Sequence, residues 1–207
     1  MNTPLDADRF RPGEGRPANR ISPIRTVVVT VLLVTIAAFA IPLFGESFDR
    51  ITVTQTFGLL AAIDTGINAF ALKVHRNGIT HGQLPGRVSQ LARPILVTSK
   101  NSCGRPMSGD APAQWVSNGP FLSFDVDTTG LNTPIGRLQD SLELQTDSSS
   151  SGLLLRVPGV ETRWTSLFDR MVDHNDGGTT GRIRFDSTAR DTTSLRYLVT
   201  VRPRYEC

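Results

Sequence analysis

The sequence predicts an α+β protein in which a long N-terminal helix packs on an antiparallel β-sheet head. The first observation is an uncharged apolar run from Thr26 to Phe44, about as long as the roughly 20 residues that a helix needs to cross a membrane. The second observation is a stripe of apolar residues with helical spacing that follows this run. The third is a set of short segments in the second half of the chain in which apolar and polar residues alternate. These patterns predict a leader at 1–20, a transmembrane helix at 21–44, an amphipathic helix at 45–78 and a β-rich head at 79–207.

The leader and the apolar run together predict a single-pass protein of the inner membrane. Residues 1–20 are rich in Pro, Gly, Asp and Arg, a composition too polar for a core and typical of disorder. Arginines precede the run, which favours a cytoplasmic N-terminus and a periplasmic or extracellular head. A cleavable signal has a shorter apolar stretch of about 7–15 residues, although Gly45 and Ser47 weakly imitate a cleavage site and keep that alternative open.

The amphipathic helix is predicted to supply one side of the head's core. Large apolar residues recur after position 56 at spacings of three and four, which indicates one apolar stripe. Asn77-Gly78 is a typical left-handed helix end. The residues predicted to form the seam between helix and sheet are Phe57, Leu60, Ile63, Ile67 and Phe70.

The head is predicted to contain an antiparallel sheet of about four or five strands packed against that stripe. The last segment alternates most clearly, because its apolar residues share one face. Those apolar residues are Leu195, Tyr197, Val199 and Val201. The predicted strands lie at 120–127, 141–145, 152–157, 181–186 and 194–203.

The two cysteines, Cys103 and Cys207, both follow the apolar run. On the translocated side of a membrane an even pair favours a disulfide. Two unrelated buried thiols are the alternative.

No motif for catalysis is found, so the chain is predicted not to be an enzyme. The sequence has no GxSxG elbow, HExxH pair, Walker-type loop or GxGxxG turn. A formal net charge of +3 is modest for this length, and nucleic acid is not an expected partner. The arginines of the last two predicted strands are consistent with an exposed basic stripe or, more simply, with a solvated strand face.

The segment IAAFAIP at 36–42 resembles the helix of the type IV pilins and the pseudopilins of type II secretion, whose sequence there is similar to ILAAIAIP. If Ile21 is the first mature residue, Pro42 falls near the family's helix-kinking proline. The resemblance implies a pilin-like fold and a structural subunit of a type IV pilus or type II secretion-type filament. It also implies that other pilin-like subunits are the partners, through the N-terminal helix.

Two positions depart from the family pattern, since Arg20 and Arg25 stand where its processing site has glycine and its first mature turn has glutamate. Cleavage would create a charged N-terminus that the family's glutamate neutralises inside the filament, and Arg25 would repel it. Both departures favour a minor, tip-located or uncleaved subunit. The alternative is an uncleaved, membrane-anchored periplasmic binding module that recognises a ligand or partner.

The segment DHNDGGTTG at 173–181 is the weak candidate for a metal site, with Asp173, Asn175 and Asp176 as ligands. Asp173 and Asn175 match the first two positions of a calcium loop, whereas Gly177 and Arg184 depart from it. Some pseudopilins hold calcium in a loop of the head, so the resemblance favours the site. A plain β-turn is the alternative, and no other cofactor is expected.

Overall fold

The computed structural model describes residues 23–75, 83–146, 151–185 and 191–201, and within them the protein is α+β with antiparallel sheets. The chain divides into two compact units, Met1–Gly45 and Glu46–Cys207. Helix α1 spans Pro23–Lys73. The predicted helix end at Asn77-Gly78 lies outside the described residues.

The predicted fold class is wrong in its transmembrane half. In the ranges that the structure describes, no helix is both long and apolar enough to cross a membrane. Arg20 and Ile21 lie outside the described residues, as does the leader, and for Arg25 and Pro42 only the helical backbone is described.

The second part of α1 contributes a buried stripe to the head. Of the predicted seam, Phe57 is half-buried, and its ring lies 6.4 Å from the ring of Tyr197. Phe70 instead packs edge-on against Phe121, with 5.2 Å between ring centroids. The stripe therefore contacts both a strand and an irregular segment. The buried residues of the stripe are Val53, Thr56, Leu60, Ile63, Ile67, Phe70, Ala71 and Val74.

Within the described ranges, the main sheet has four strands in the order β3-β4-β6-β5, all antiparallel to their neighbours. The long strands β4 and β6 form its centre, with Leu155 opposite Tyr197, and a bulge interrupts their register between Val157 and Val160. A separate two-stranded sheet pairs β1 with β2. The strands are β1 (Leu131–Thr133), β2 (Gly136–Leu138), β3 (Glu143–Thr146), β4 (Ser151–Glu161), β5 (Ile183–Arg184) and β6 (Thr192–Thr200).

The alternation predicted at the end of the chain is confirmed, because Leu195, Tyr197 and Val199 are buried on β6 while Arg196 is exposed. The strand predicted at 120–127 is wrong. There the backbone N–H groups of Phe121 and Leu122 both donate to the Leu91 carbonyl, at 2.8 and 3.3 Å. That segment covers the end of a short helix and does not pair along a sheet.

Three further helices lie among the described residues: α2 (Ser89–Ala92), α3 (Ala111–Asn118) and α4 (Thr162–Val172). Helix α4 follows β4 directly and buries Thr165, Phe168 and Asp169. This spacing of three and four puts one face of α4 on the core.

Cys103 is disulfide-bonded. Its predicted partner, Cys207, lies outside the described residues, so the pairing itself stays a prediction.

Tyr197 links α1 to the sheet from inside the core. Its side chain is 1% exposed, and its hydroxyl donates to Asp64 Oδ2 at 3.5 Å. Arg182 pairs with the same carboxylate, and its guanidinium carbon lies 4.8 Å from the centre of the Tyr197 ring. Burial, the largest cause, raises the pKa of Tyr197 to about 12.

We expect the free energy of unfolding to fall by roughly 2–3 kcal/mol between about pH 10 and pH 12 because of Tyr197. The unfolded tyrosine loses its proton near pH 10, whereas the folded one keeps it, so this stability is complete below pH 10 and is lost above it. Urea unfolding at several pH values should show the decrease in the wild type and a flatter profile in Tyr197→Phe. An identical decrease in Tyr197→Phe would assign the effect to other groups.

Candidate metal centre

Three carboxylates, those of Asp169, Asp173 and Asp176, converge at the end of α4. One ligand oxygen from each lies within 4.8 Å of the others. Asp169 belongs to α4, whereas Asp173 and Asp176 follow in the loop that leads to β5. Oxygens so close together repel one another unless a proton or a cation lies between them.

The loop turns back on α4 so that all three side chains meet. The Asp169 carbonyl oxygen accepts the N–H groups of Asp173, at 2.9 Å, and Asn175, at 3.2 Å. His174 and Asn175 have φ angles of 59° and 66°, which are uncommon for residues other than glycine. This left-handed pair reverses the chain and brings Asp176 back towards the helix.

The end of the loop, at Gly181, packs so closely against the carboxylates that no side chain fits there. Gly181 has a φ of 71°, and a β-carbon there would collide with the carboxylates of Asp173 and Asp176. The Ile183 N–H donates to Asp173 Oδ2 at 2.6 Å. The start of β5 therefore fixes one of the three carboxylates.

Asp169 is the most buried of the three carboxylates, and within the described ranges one of its oxygens lacks a hydrogen bond. Its side chain is 3% exposed, and Oδ2 accepts the Gly177 N–H at 3.2 Å, while Oδ1 is buried without a hydrogen-bond donor among the described residues. Burial is the main cause that raises the pKa of Asp169, with Asp176 and Asp173 adding to it and the Gly177 N–H opposing it. A cation bound between the three carboxylates would compensate the buried charge of Asp169.

The donor set has the chemistry of a site for a hard cation. Carboxylate oxygens are the ligands that Ca²⁺ and Mg²⁺ prefer, whereas softer metals select sulfur or imidazole. In the described part of the chain, the cluster consists of three aspartates. The structure therefore contains an acidic cluster that could hold a metal.

Of the three residues predicted as calcium ligands, Asp173 and Asp176 belong to the acidic cluster, whereas Asn175 does not. Asn175 is exposed, and its backbone shapes the loop. Asp169 is the third member of the cluster and lies on helix α4, which was not among the predicted elements. A signal was present, because Trp164, Phe168 and Val172 recur at helical spacing, and a helix there would place Asp169 four residues before Asp173.

No protein-family model, no curated protein and no solved structure matches this chain.

Proposed function

We propose that this chain is a structural subunit without enzymatic activity that assembles with copies of itself, in a pilin-like or pseudopilin-like manner, through residues 27–36 of α1. The observation that carries the proposal is the exposure of this segment, which we call the assembly segment. Its eight large apolar side chains are 53–63% exposed. They are Val27, Val28, Val29, Val31, Leu32, Leu33, Val34 and Ile36.

The assembly segment is apolar on every side, unlike the stripe that packs in the head. Successive helical residues are separated by about 100°, so positions 27–29, 31–34 and 36 are distributed around the whole helix. In the head, by contrast, buried residues of α1 such as Leu60, Ile63 and Ile67 recur at intervals of three and four. A single groove covers one stripe only, whereas a surrounding bundle of helices covers all sides.

Copies of the same segment are the occupant that this surface fits. Burying eight aliphatic side chains that are about half exposed would contribute on the order of 10 kcal/mol per copy, comparable with the cost of association. The described apolar side chains are mostly β-branched or leucine, which interdigitate between helices. An assembly of several copies would therefore bury the apolar side chains of the assembly segment on all sides.

For the head, we propose that the acidic cluster binds Ca²⁺. Calcium accepts six to eight oxygen ligands in flexible geometry, whereas Mg²⁺ demands near-ideal octahedral geometry and usually keeps several waters. Three aspartates from a helix and a loop suit the more flexible ion. Asp169 supports the assignment, since its buried Oδ1 has no hydrogen-bond donor among the described residues. Bound calcium would join α4 to the loop that begins β5.

The assembly proposal predicts that Val29→Arg prevents self-association of the full chain. An arginine on a surface buried between helices would place an uncompensated charge in an apolar environment, a cost of several kcal/mol per copy. Val29 is 53% exposed in the single chain, so the substitution leaves the head intact. Analytical ultracentrifugation and negative-stain microscopy should show large assemblies for the wild type and small species for the variant.

Val116→Arg is the matched control, because Val116 lies on α3 in the head and is 72% exposed. It adds the same charge at an exposed valine and should assemble like the wild type. If Val29→Arg assembles as well as Val116→Arg, the assembly segment is not the interface and the proposal is wrong.

A further inference from the structure

We infer that a cavity beside α2 binds a small polar molecule that carries an oxyanion, such as a phosphate ester or a carboxylate. This inference is independent of self-assembly and of calcium. The cavity has a volume of about 570 Å³, within the range of small-ligand sites. Residues 86, 87, 89, 90, 93–96 and 98–101 supply most of its wall, and Thr128 completes the lining.

The cavity carries positive charge that the protein does not neutralise. Arg87, Arg93 and Lys100 line it, and none of the described residues that line it is acidic. Arg93 forms a bidentate ion pair with Asp125, in which Nε donates to Oδ1 at 2.8 Å and Nη2 donates to Oδ2 at 2.7 Å. Within the described part of the chain, the side chains of Arg87 and Lys100 make no hydrogen bond or ion pair. Two cations therefore remain available to an anion.

The carboxylates near this wall are already engaged elsewhere. Asp140 is buried, and its two oxygens accept the backbone N–H and the hydroxyl of Ser89, at 2.7 and 2.9 Å. Asp127 accepts the hydroxyls of Thr128 and Thr129 at 3.2 and 3.1 Å. These carboxylates stabilise the wall, and they leave the cations on the cavity side unpaired.

The wall that carries the two cations is fixed before any ligand arrives. Gln90 Oε1 accepts the backbone N–H groups of Gly86 and Arg87, at 2.8 and 3.3 Å, and Gln90 Nε2 donates to the Lys100 carbonyl at 3.2 Å. One side chain thus ties together the backbones of both cationic residues. A β-carbon at Gly86 would lie 2.6 Å from the Lys100 carbonyl oxygen, so the two segments are packed as closely as backbone allows. Such preorganisation lowers the cost of binding.

The remaining lining favours a polar ligand recognised through its charge. Hydroxyls of Thr98, Ser99 and Thr128 and the amide of Asn101 lie along the cavity, and Ser99 Oγ already accepts the Leu96 N–H at 2.9 Å. Among the described residues, none that lines the cavity carries an aromatic ring on which a sugar or base could stack. Arginine and lysine together suit an oxyanion, the arginine as a planar donor fork and the lysine as a point charge.

Equilibrium dialysis of the full chain against radiolabelled inorganic phosphate tests the inference, because it works whatever the state of assembly. We expect saturable binding of one phosphate per chain and about a tenfold or greater loss of affinity in Arg87→Ala and in Lys100→Ala, since hydrogen bonds to charged groups are removed. Lys100→Arg should restore most of the affinity. Glucose 6-phosphate and glucuronate, added as competitors, distinguish a phosphate ester from a carboxylate as the preferred ligand.

Arg105→Ala is the matched control, because Arg105 is an exposed cation near Lys100 in sequence that does not line the cavity. It should bind phosphate as the wild type does. Failure of phosphate and both competitors to bind saturably would overturn the inference, and so would an equal loss of affinity in Arg105→Ala. Neither result would bear on assembly, which Val29→Arg tests separately.

Discussion

Ile63→Asp should lower the free energy of unfolding of the head by about 4 kcal/mol or more. Ile63 has no exposed surface and lies in the middle of the buried stripe of α1. The substitution removes a buried aliphatic side chain, at about 1.5–3 kcal/mol, and adds a carboxylate without a partner. Urea unfolding followed by tryptophan fluorescence suits the measurement, since Trp115 is buried and Trp164 packs against the core.

The same change at Leu72 is its control. Leu72 lies on the same helix and is 56% exposed, so Leu72→Asp adds the same charge without placing it in the core. We expect a loss below about 1 kcal/mol there. Equal midpoints for Ile63→Asp and the wild type would mean that the stripe is not part of the head's core in solution.

Calcium should stabilise the head, by about 2.7 kcal/mol when its concentration is one hundred times its dissociation constant. The Asp169→Asn variant should not respond, because the buried carboxylate that faces the other two loses its charge. Without calcium this variant should be at least as stable as the wild type, since the raised pKa of Asp169 means that the folded protein disfavours its charged form. Thermal unfolding with chelator and with 1 mM calcium, run in parallel, measures both effects.

Glu143→Gln provides the comparison, because Glu143 is an exposed carboxylate at the start of β3. It removes one negative charge from the head outside the cluster and should keep the full calcium response. A calcium response that survives in Asp169→Asn would show that the ion binds elsewhere. A wild type that ignores calcium would show that the cluster does not bind calcium, and the proposed calcium site would be wrong.

Local patterns predicted the central strands of the sheet but not the segments whose structure depends on distant contacts. The alternation of Leu195, Tyr197 and Val199 has a period of two and places these side chains on one buried face, so it corresponds directly to β6, although Leu198 on the other face is buried as well. Residues 120–127 alternate similarly. The backbone N–H groups of Phe121 and Leu122 donate to the Leu91 carbonyl in α2, a contact that periodicity does not reveal.

The candidate metal centre was only partly predictable for a related reason. Asp173 and Asp176 stand in a visible polar segment, whereas Asp169 stands in a helix of mixed composition, and only the turn at His174 and Asn175 brings it to the other two. No motif in the sequence indicated the cavity beside α2. Arg87 and Lys100 are brought together by Gln90, whose side chain bridges two backbone segments. The apolar run at 26–44 was obvious, but its predicted role as a membrane span is not supported by the described helices.

The contact between Phe57 and Tyr197 also determines when the head can be completed during synthesis. The two residues are 140 positions apart, the difference between 197 and 57, and at about 5–20 residues per second the ribosome needs roughly 7–28 s to travel between them. Throughout that interval the stripe on α1 has emerged without β6, the strand that covers part of it. The newly made helix must therefore be kept from other apolar surfaces while it waits, and contacts this distant along the chain also form slowly.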